Sequence, residues 1–198
     1  MKKYIIEIAV VLLLLIGASM YVVNTINGLI VLDEQVNGSW AQVVNQYKRR
    51  TDLIPNVVAT VKGYAEHESE TLTAVVNARA KATQTTISAD MLSDPKAVQT
   101  FINNQSALSS ALSRLMVVAE KYPDLKANQN FMALQSQLEG TENRITVARQ
   151  DYINKVQEFN IKIRRFPTSM IASMFTDMER KATFDIPKEE QNAPVVAF

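Results

Sequence analysis

Four ionisable side chains cluster at residues 66–70, where the chain carries its only histidine. Glu66, His67, Glu68 and Glu70 are residue types that can hold a metal ion or supply a general acid and base. On a helix Glu66 and Glu70 share a face while His67 points elsewhere, and a zinc site usually needs three or more converging protein ligands. We therefore interpret the cluster as an exposed polar face near a helix end, and we predict no metal and no cofactor.

Charged residues of both signs occur in two segments that would face each other on packed helices. A guanidinium–carboxylate pair is strong and directional, so charges at fixed places along a helix seam can set its register. We expect Arg49 or Arg50, beside Pro55, to pair with Glu139 or Glu142. The candidate interaction and register residues are Arg49, Arg50, Asp52, Glu142, Arg144, Arg149 and Asp151. The alternative is a groove near Arg49–Asp52 that recognises an anionic ligand or a partner segment.

The composition removes several classes of chemistry. The chain has no cysteine, which excludes disulfides, thiolate metal sites and thiol catalysis. No glycine-rich phosphate loop, serine nucleophile motif or metalloprotease helix occurs. The net charge of +1 gives no indication of nucleic acid or of a strongly anionic partner. We predict that the protein is not an enzyme; the alternative is a hydrolase whose acid/base pair comes from Glu66, Glu68 or Glu142.

The element that positions everything else is the apolar run Tyr4–Val23. About 20 apolar residues are needed to cross the hydrocarbon core of a bilayer. Lys2 and Lys3 precede the run and the next basic residue is Lys48, which favours a cytoplasmic N-terminus and an extracytoplasmic body. We predict a retained, single-pass cell-membrane anchor. The alternative is a cleaved signal peptide, although Ala18-Ser19-Met20 is a poor cleavage site.

After the anchor, apolar residues recur at the spacing of three and four that is typical of a coiled-coil seam. The first seam comprises Leu29, Leu32, Val36, Trp40, Val43 and Tyr47. It continues through Ile54 and Val61, and the helical signal extends to about Thr83. Pro55 predicts a kink or a break in this helix. Asn24–Gly28 is either a hinge or a helical continuation of the anchor.

The second half of the chain predicts two more long helices. Asp94-Pro95 is a helix start, with a capping side chain before a proline, and Tyr122-Pro123 ends that helix. The next helix begins near Asn128 or Asn130 and ends at Phe166-Pro167. A short helix, Ser169–Met178, follows, and Met170 and Met174 contribute to its apolar face. Because Met adapts to irregular surfaces, this helix either caps the bundle, which we favour, or docks to a membrane or partner helix.

The predicted fold is all-α: an N-terminal transmembrane helix, then a long antiparallel bundle of three to four long helices with a short C-terminal helix. Helices with one apolar face cannot bury it alone and pack together. We divide the chain into an anchor and hinge (1–28), a helical bundle (29–180) and a flexible tail (181–198).

Several blocks of the sequence resemble the LemA family, in the family's order, over about Leu29 to Phe175. The blocks are WAQV (40–43), RRTDLIPN (49–56), VKGYAEHE (61–68), YPDLKAN (122–128), LEGTENRI (138–145), ARQDY (148–152), Phe159-Asn160 and Phe166-Pro167. The resemblance implies a membrane-anchored, all-helical bacterial protein with no established enzymatic activity. We therefore predict a scaffold or adaptor that contacts the membrane and a membrane or envelope protein, with self-association as a further option. The alternative is a ligand-binding or sensor bundle.

Overall fold

The structure, a computed structural model, describes residues 2–184. Every regular element in that range is helical and no strand occurs there, which confirms the predicted all-α class. The α-helices are α1 (Lys2–Lys62), α2 (Ser69–Gln84), α3 (Pro95–Ala119), α4 (Pro123–Lys126), α5 (Gln129–Arg164) and α6 (Thr168–Phe175). A short 3-10 helix, Ala89–Ser93, precedes α3.

The helix α1 is continuous over 61 residues, a length of about 90 Å at 1.5 Å per residue. Its apolar first part is exposed, and α1 is the one helix within residues 2–184 that is long and apolar enough to cross a membrane. Asn24–Gly28 are helical. This segment is therefore part of a rod that leads from the apolar run into the packed helices, and it is not a hinge.

Pro55 lies inside α1 without ending it, so of the kink or break that we predicted, the break does not occur. A proline has no N–H to offer the carbonyl oxygen four residues earlier, here that of the buried Thr51. The Nε of Arg79 on α2 donates to this oxygen at 2.9 Å. A side chain from the neighbouring helix thus supplies the donor that Pro55 removed, and the Pro55 side chain itself faces solvent.

The chain reverses at Gly63–Glu68, where we had predicted that the helix would run on to about Thr83. The Tyr64 and Ala65 N–H groups both donate to the Val61 carbonyl oxygen, at 3.0 and 2.9 Å, which closes the last turn of α1. Ala65 is buried in the same core as Val61 and Leu72. The reversal therefore buries the apolar face of α2 against α1, which one straight helix would leave in water.

The long helices alternate in direction. Contacts between α1 and α5 follow opposite sequence orders. Along α1, Gln35 pairs with Lys155 (3.1 Å) and Arg50 with Glu142 (2.8 Å), and Tyr64 in the turn after α1 pairs with Asn128, the N-cap of α5 (2.9 Å). The same holds at the ends of α2: Glu68, just before α2, meets Tyr122 after α3 (3.2 Å), and Thr85, just after α2, meets Asn104 of α3 (2.7 Å). Since α2 also packs on both α1 and α3, α1, α2, α3 and α5 lie side by side.

Two apolar cores lie along these helices, on either side of Arg50. The core nearer the apolar run, here the anchor-side core, is rich in aromatic rings: Trp40, Tyr47, Phe101, Tyr152, Phe159 and Phe184. Trp40 packs on Phe101 and Tyr152 with ring centroids 5.3 and 5.1 Å apart, and its Nε1 donates to the Ile87 carbonyl oxygen. The distal core is mainly aliphatic and includes Ile54, Val57, Leu108, Leu115, Phe131 and Leu138.

Lys181–Phe184 pack against the helices, although we had placed residue 181 at the start of a flexible tail. Asn160 exchanges two hydrogen bonds with the Lys181 backbone, at 2.9 and 3.0 Å, and the Ala182 N–H donates to the Leu92 carbonyl oxygen. Phe184 is buried against Trp40 and Tyr152. The free energy gained by burying the Phe184 ring outweighs the tendency of its polar neighbours to stay in water. The rest of the predicted tail, 185–198, lies outside the described residues.

The Pro55–Arg79 arrangement predicts an energetic coupling between the two residues. Arg79→Ala should lower the free energy of unfolding by about 1.5–3 kcal/mol, because it leaves the buried Thr51 carbonyl without a donor. In a Pro55→Ala background the restored Ala N–H satisfies that carbonyl, so Arg79→Ala should cost at least about 1 kcal/mol less. Urea unfolding of the four variants in detergent, followed by circular dichroism, measures the coupling.

The matched control is Lys81→Ala, an exposed change on the same helix, which should cost the same in both backgrounds. Equal costs of Arg79→Ala with and without Pro55 would show that the carbonyl does not depend on Arg79.

Candidate functional site

Arg50 occupies a position of α1 that the helical repeat directs inward, between Tyr47 and Ile54. Its side chain is 1% exposed. Nη1 donates to Ser109 Oγ at 2.6 Å and to Glu142 Oε1 at 2.8 Å. Nη2 donates to the backbone and side-chain oxygens of Gln105, at 3.1 and 2.6 Å. We refer to Arg50, Gln105, Ser109 and Glu142 as the Arg50 layer.

The Arg50 layer joins four helices at one level. Arg50 comes from α1, Gln105 and Ser109 come from α3, and Glu142 comes from α5. Gln105 also reaches α2, because its Nε2 donates to the Ala82 carbonyl oxygen at 3.3 Å. Each bond requires its helix to sit at one height on α1. The layer therefore fixes the axial register of the helices.

The energetics of the layer follow from unequal burial of its two charges. Burying a guanidinium is costly unless it is paired and hydrogen-bonded. Here Arg50 is enclosed, whereas the Glu142 side chain is 45% exposed and keeps water on its free side. The desolvation cost thus falls mainly on one ion, and four hydrogen bonds offset it. Arg50 Nε is buried and has no acceptor among the described residues.

Tyr47 covers one face of the guanidinium, with Arg50 Cζ 5.0 Å from the ring centroid. Burial raises the pKa of the Tyr47 hydroxyl, while the positive charges of Arg149 and Arg50 lower it in part. The pKa stays above its ordinary value, so the ring is neutral at physiological pH. A neutral ring face attracts a cation through its quadrupole, and Tyr47 therefore supports the buried charge without adding one.

The other candidate residues do not converge on this layer. Arg49 and Asp52 are exposed, as are Arg144 and Asp151 on α5. Arg149 is partly buried and stacks over the Phe184 ring, with Cζ 4.7 Å from its centroid. Of the two carboxylates that we expected to pair with an arginine, the structure pairs Glu142. Because Arg50 is almost completely enclosed, it cannot present its charge to an external anion while this packing is intact.

The cluster around His67 lies at the opposite end of α1 from the apolar run. Glu66 and His67 are exposed in the turn after α1. Glu68 accepts a hydrogen bond from the Tyr122 hydroxyl at 3.2 Å, and desolvation and this bond raise the Tyr122 pKa. Within residues 2–184 no three potential metal ligands come together. Glu142 lies beside Arg50, twelve residues or about 18 Å before the end of α1, so these glutamates do not form one site.

The predicted site residues did not include Gln105, Ser109 or Arg79, which the structure places at the site or beside it. A signal for Gln105 was present, because it lies on the seam of α3 between Ile102 and Leu108, where an apolar residue is expected. A polar residue at such a position indicates a buried hydrogen-bond partner. Arg79 gave no comparable signal, because its role depends on a carbonyl 28 residues earlier in the chain.

Two grooves flank the Arg50 layer. One, of about 370 Å³, lies between α1, α2 and α3 and includes Tyr47, Lys48, Asp52 and Ile87. The other, of about 430 Å³, lies between α3 and α5, and it is lined by Ser109, Leu112, Ser113, Met116, Gln135, Leu138, Glu139 and Glu142. We refer to the second as the α3–α5 groove. Its apolar lining next to Glu142 consists of the buried Leu112 and Leu138 and the half-buried Met116.

Comparison with known families now places this architecture. The model of the LemA family matches residues 39–198, which include the Arg50 layer and every helix after α1. The chain belongs to the LemA family. A comparison with curated proteins found no match. Membership confirms the resemblance in the sequence blocks, and the Arg50 layer shows what two of those blocks do in this LemA-family chain: RRTDLIPN supplies Arg50 and LEGTENRI supplies Glu142.

The layer predicts very different outcomes for two neighbouring arginines. Arg50→Ala should lower the free energy of unfolding by about 3–5 kcal/mol, because it breaks a buried ion pair and leaves a cavity. Arg49→Ala is the matched control, and as an exposed change it should cost no more than about 0.5 kcal/mol. Urea unfolding in detergent, followed by circular dichroism, compares them.

Glu142→Gln should lower the free energy of unfolding by an intermediate amount, about 1–2 kcal/mol. The glutamine side chain has the same shape as glutamate, but one charge-assisted hydrogen bond is lost. If Arg50→Ala were as mild as Arg49→Ala, the layer would not hold the helices together.

Proposed function

We propose that the protein is a single-pass, membrane-anchored scaffold that presents a rigid antiparallel helical bundle outside the cytoplasm. It acts through contact with another membrane or envelope protein. The observation that carries this proposal is the unbroken α1, which belongs both to the apolar run and to the packed helices. A body joined to its anchor by a rigid helix is held at a set height above the membrane, as a scaffold requires.

The apolar run supports a retained anchor. A cleavage near Ala18-Ser19-Met20 would cut inside a continuous helix whose later residues, such as Thr25 and Leu29, are buried in the body. Lys2 and Lys3 before the run favour a cytoplasmic N-terminus. With that orientation the body faces the envelope.

The α3–α5 groove is the surface that we assign to the partner. Leu112, Met116 and Leu138 provide an apolar floor, and Ser113 and Glu139 line its edge. A groove between two helices accepts an amphipathic helix, whose apolar face fills the floor while its polar face meets the edges. The Arg50 layer closes one end of the groove through Ser109 and Glu142, so the partner would sit against the distal core.

Site-specific photocrosslinking tests the proposal in intact cells. A photoreactive residue in place of Ser113, which is exposed in the groove, should give one discrete crosslinked product with a membrane or envelope protein. The matched control replaces Asn77, which is exposed on α2 and lies outside the groove. The Asn77 position should give no such product, and Met116→Arg should abolish the product at Ser113 by placing a charge at the half-buried residue of the apolar floor.

The outcomes separate the alternatives. A product of twice the chain mass would assign the groove to self-association. Products of equal intensity from Ser113 and Asn77, or none from either, would contradict a scaffold that works through this groove.

A second candidate function rests on the 370 Å³ groove between α1, α2 and α3. Its volume is in the range of small-molecule sites, and Lys48 and Asp52 lie beside an apolar wall that includes Ile87 and Phe101. This is where the sensor alternative placed a ligand. Saturable ligand binding by the purified chain that is lost in Thr86→Trp, a change at an exposed residue that lines the groove, would favour a sensor over a scaffold.

A further inference from the structure

We propose that the corner between α5 and α6, residues 161–175, docks onto anionic phospholipid headgroups beside the membrane anchor. The protein would then meet the bilayer twice, through α1 and through this corner. The inference rests on the retained anchor of the proposed function and adds a second lipid contact to it. We refer to this segment as the membrane corner.

Exposed apolar side chains are concentrated at the membrane corner. They are Ile161, Phe166, Met170, Met174 and Phe175. On α6 the residues Thr168, Ile171 and Ala172 face inward, so Met170, Met174 and Phe175 form the outer face. Elsewhere in the described body, apart from the adjacent Ile30 and Val31 close to the apolar run, large exposed apolar residues occur singly along the helices, as at Val76, Val117 and Val147. A concentration of exposed apolar side chains of this kind marks an interaction site.

The fold places this surface at the depth of the lipid headgroups. Ala172 of α6 shares a core with Leu29 of α1, and Gly28 lines one groove together with Arg165. Gly28 lies five residues after Val23, the end of the apolar run, which is about 7.5 Å along the helix. The headgroup layer on each side of the hydrocarbon core is about 5–8 Å thick. An anchored α1 therefore brings the corner to the membrane surface.

Basic residues lie next to the apolar face along the chain. Lys162, Arg164 and Arg165 are all exposed at the end of α5. Lys162 and Arg165 line an open groove of about 610 Å³ between α1 and α5, with Asn154, Gln157 and Glu158. Acidic Asp177 and Glu179 follow α6, but within 161–175 the charged residues are all basic. The overall charge of +1 conceals this local cluster.

Apolar and basic residues together are what an interfacial lipid contact requires. Apolar side chains enter the boundary between headgroups and acyl chains, and Lys or Arg attract anionic headgroups. A second copy of this chain would bring three like charges against each other, which is unfavourable. The exposed apolar face, the neighbouring basic residues and the position of the corner at headgroup depth all fit one occupant, an anionic phospholipid surface.

Fluorescence of single-cysteine variants in lipid nanodiscs tests the proposal with the full chain. The protein has no native cysteine, so Met174→Cys can be labelled with an environment-sensitive bimane. Val147→Cys is the matched control, because Met174 and Val147 are both 71% exposed and Val147 lies farther up α5. In nanodiscs with phosphatidylglycerol, the emission of the label at 174 should shift to the blue and be quenched by lipid that carries a quencher on its headgroup. The emission of the label at 147 should show neither effect.

The charge requirement is tested by Lys162→Gln, Arg164→Gln and Arg165→Gln combined. The three side chains are exposed, so the fold should be retained, and circular dichroism checks this. Each cation near an anionic surface changes the docking equilibrium about fivefold, so the quenching at 174 should fall sharply. Replacing phosphatidylglycerol with phosphatidylcholine should have the same effect on the unchanged chain.

Three results would overturn the proposal. The first is a label at 174 that stays as water-exposed as the label at 147 in every nanodisc. The second is a spectral shift that is equal in phosphatidylcholine and insensitive to the triple change. The third is a shift in detergent that grows with protein concentration, which would indicate a second copy. Crosslinking from Ser113 is independent of these measurements, so failure of the lipid contact and failure of the scaffold are distinguishable.

Discussion

The buried guanidinium of Arg50 is the interaction on which the arrangement of the helices depends. It lies between two apolar cores, and apolar contacts alone would let the helices shift along one another at little cost, because aliphatic and aromatic surfaces tolerate alternative packing. Its hydrogen bonds to Gln105, Ser109 and Glu142 are satisfied at one register only. Since α1 is also the proposed anchor, the register of each helix relative to α1 determines the height of that helix above the membrane.

This link connects the Arg50 layer to the end of α5. A slip of α5 by one helical turn would move the membrane corner by about 5.4 Å, which is comparable to the thickness of the headgroup layer. Two contacts support the same register nearer the apolar run. Lys155 with Gln35 is more exposed and therefore weaker, whereas the Lys181–Asp33 pair, with side chains 11% and 24% exposed, is largely buried. The buried charge in the middle of the molecule, together with this second pair, thus sets which surface is presented at its base.

The sequence predicted the parts of this structure that are local. Asp94 caps α3 through the Lys96 N–H and Pro95 follows it, and Asn128 caps α5, as the capping pattern indicated. The Arg50–Glu142 pair followed from charges on two recognisable seams. What the sequence did not reveal depends on distant partners: Pro55 is tolerated because of Arg79, and Phe184 is held because Trp40 and Tyr152 leave room for its ring. The reversal at Gly63–Glu68 was missed because Gly63 alone gives a weak signal within a continuing apolar pattern.

The central claim is that the apolar run and the body form one rigid unit. Electron spin resonance distance measurement in nanodiscs tests it directly, with labels on Tyr21→Cys in the apolar run and Val147→Cys on α5. Val147 lines a groove with Gln46, which is 25 helical residues after Tyr21, so a rigid α1 predicts one narrow distribution near about 40 Å. A broad distribution, or a major population at much shorter distance, would show that α1 bends between the membrane and the bundle and would contradict the account.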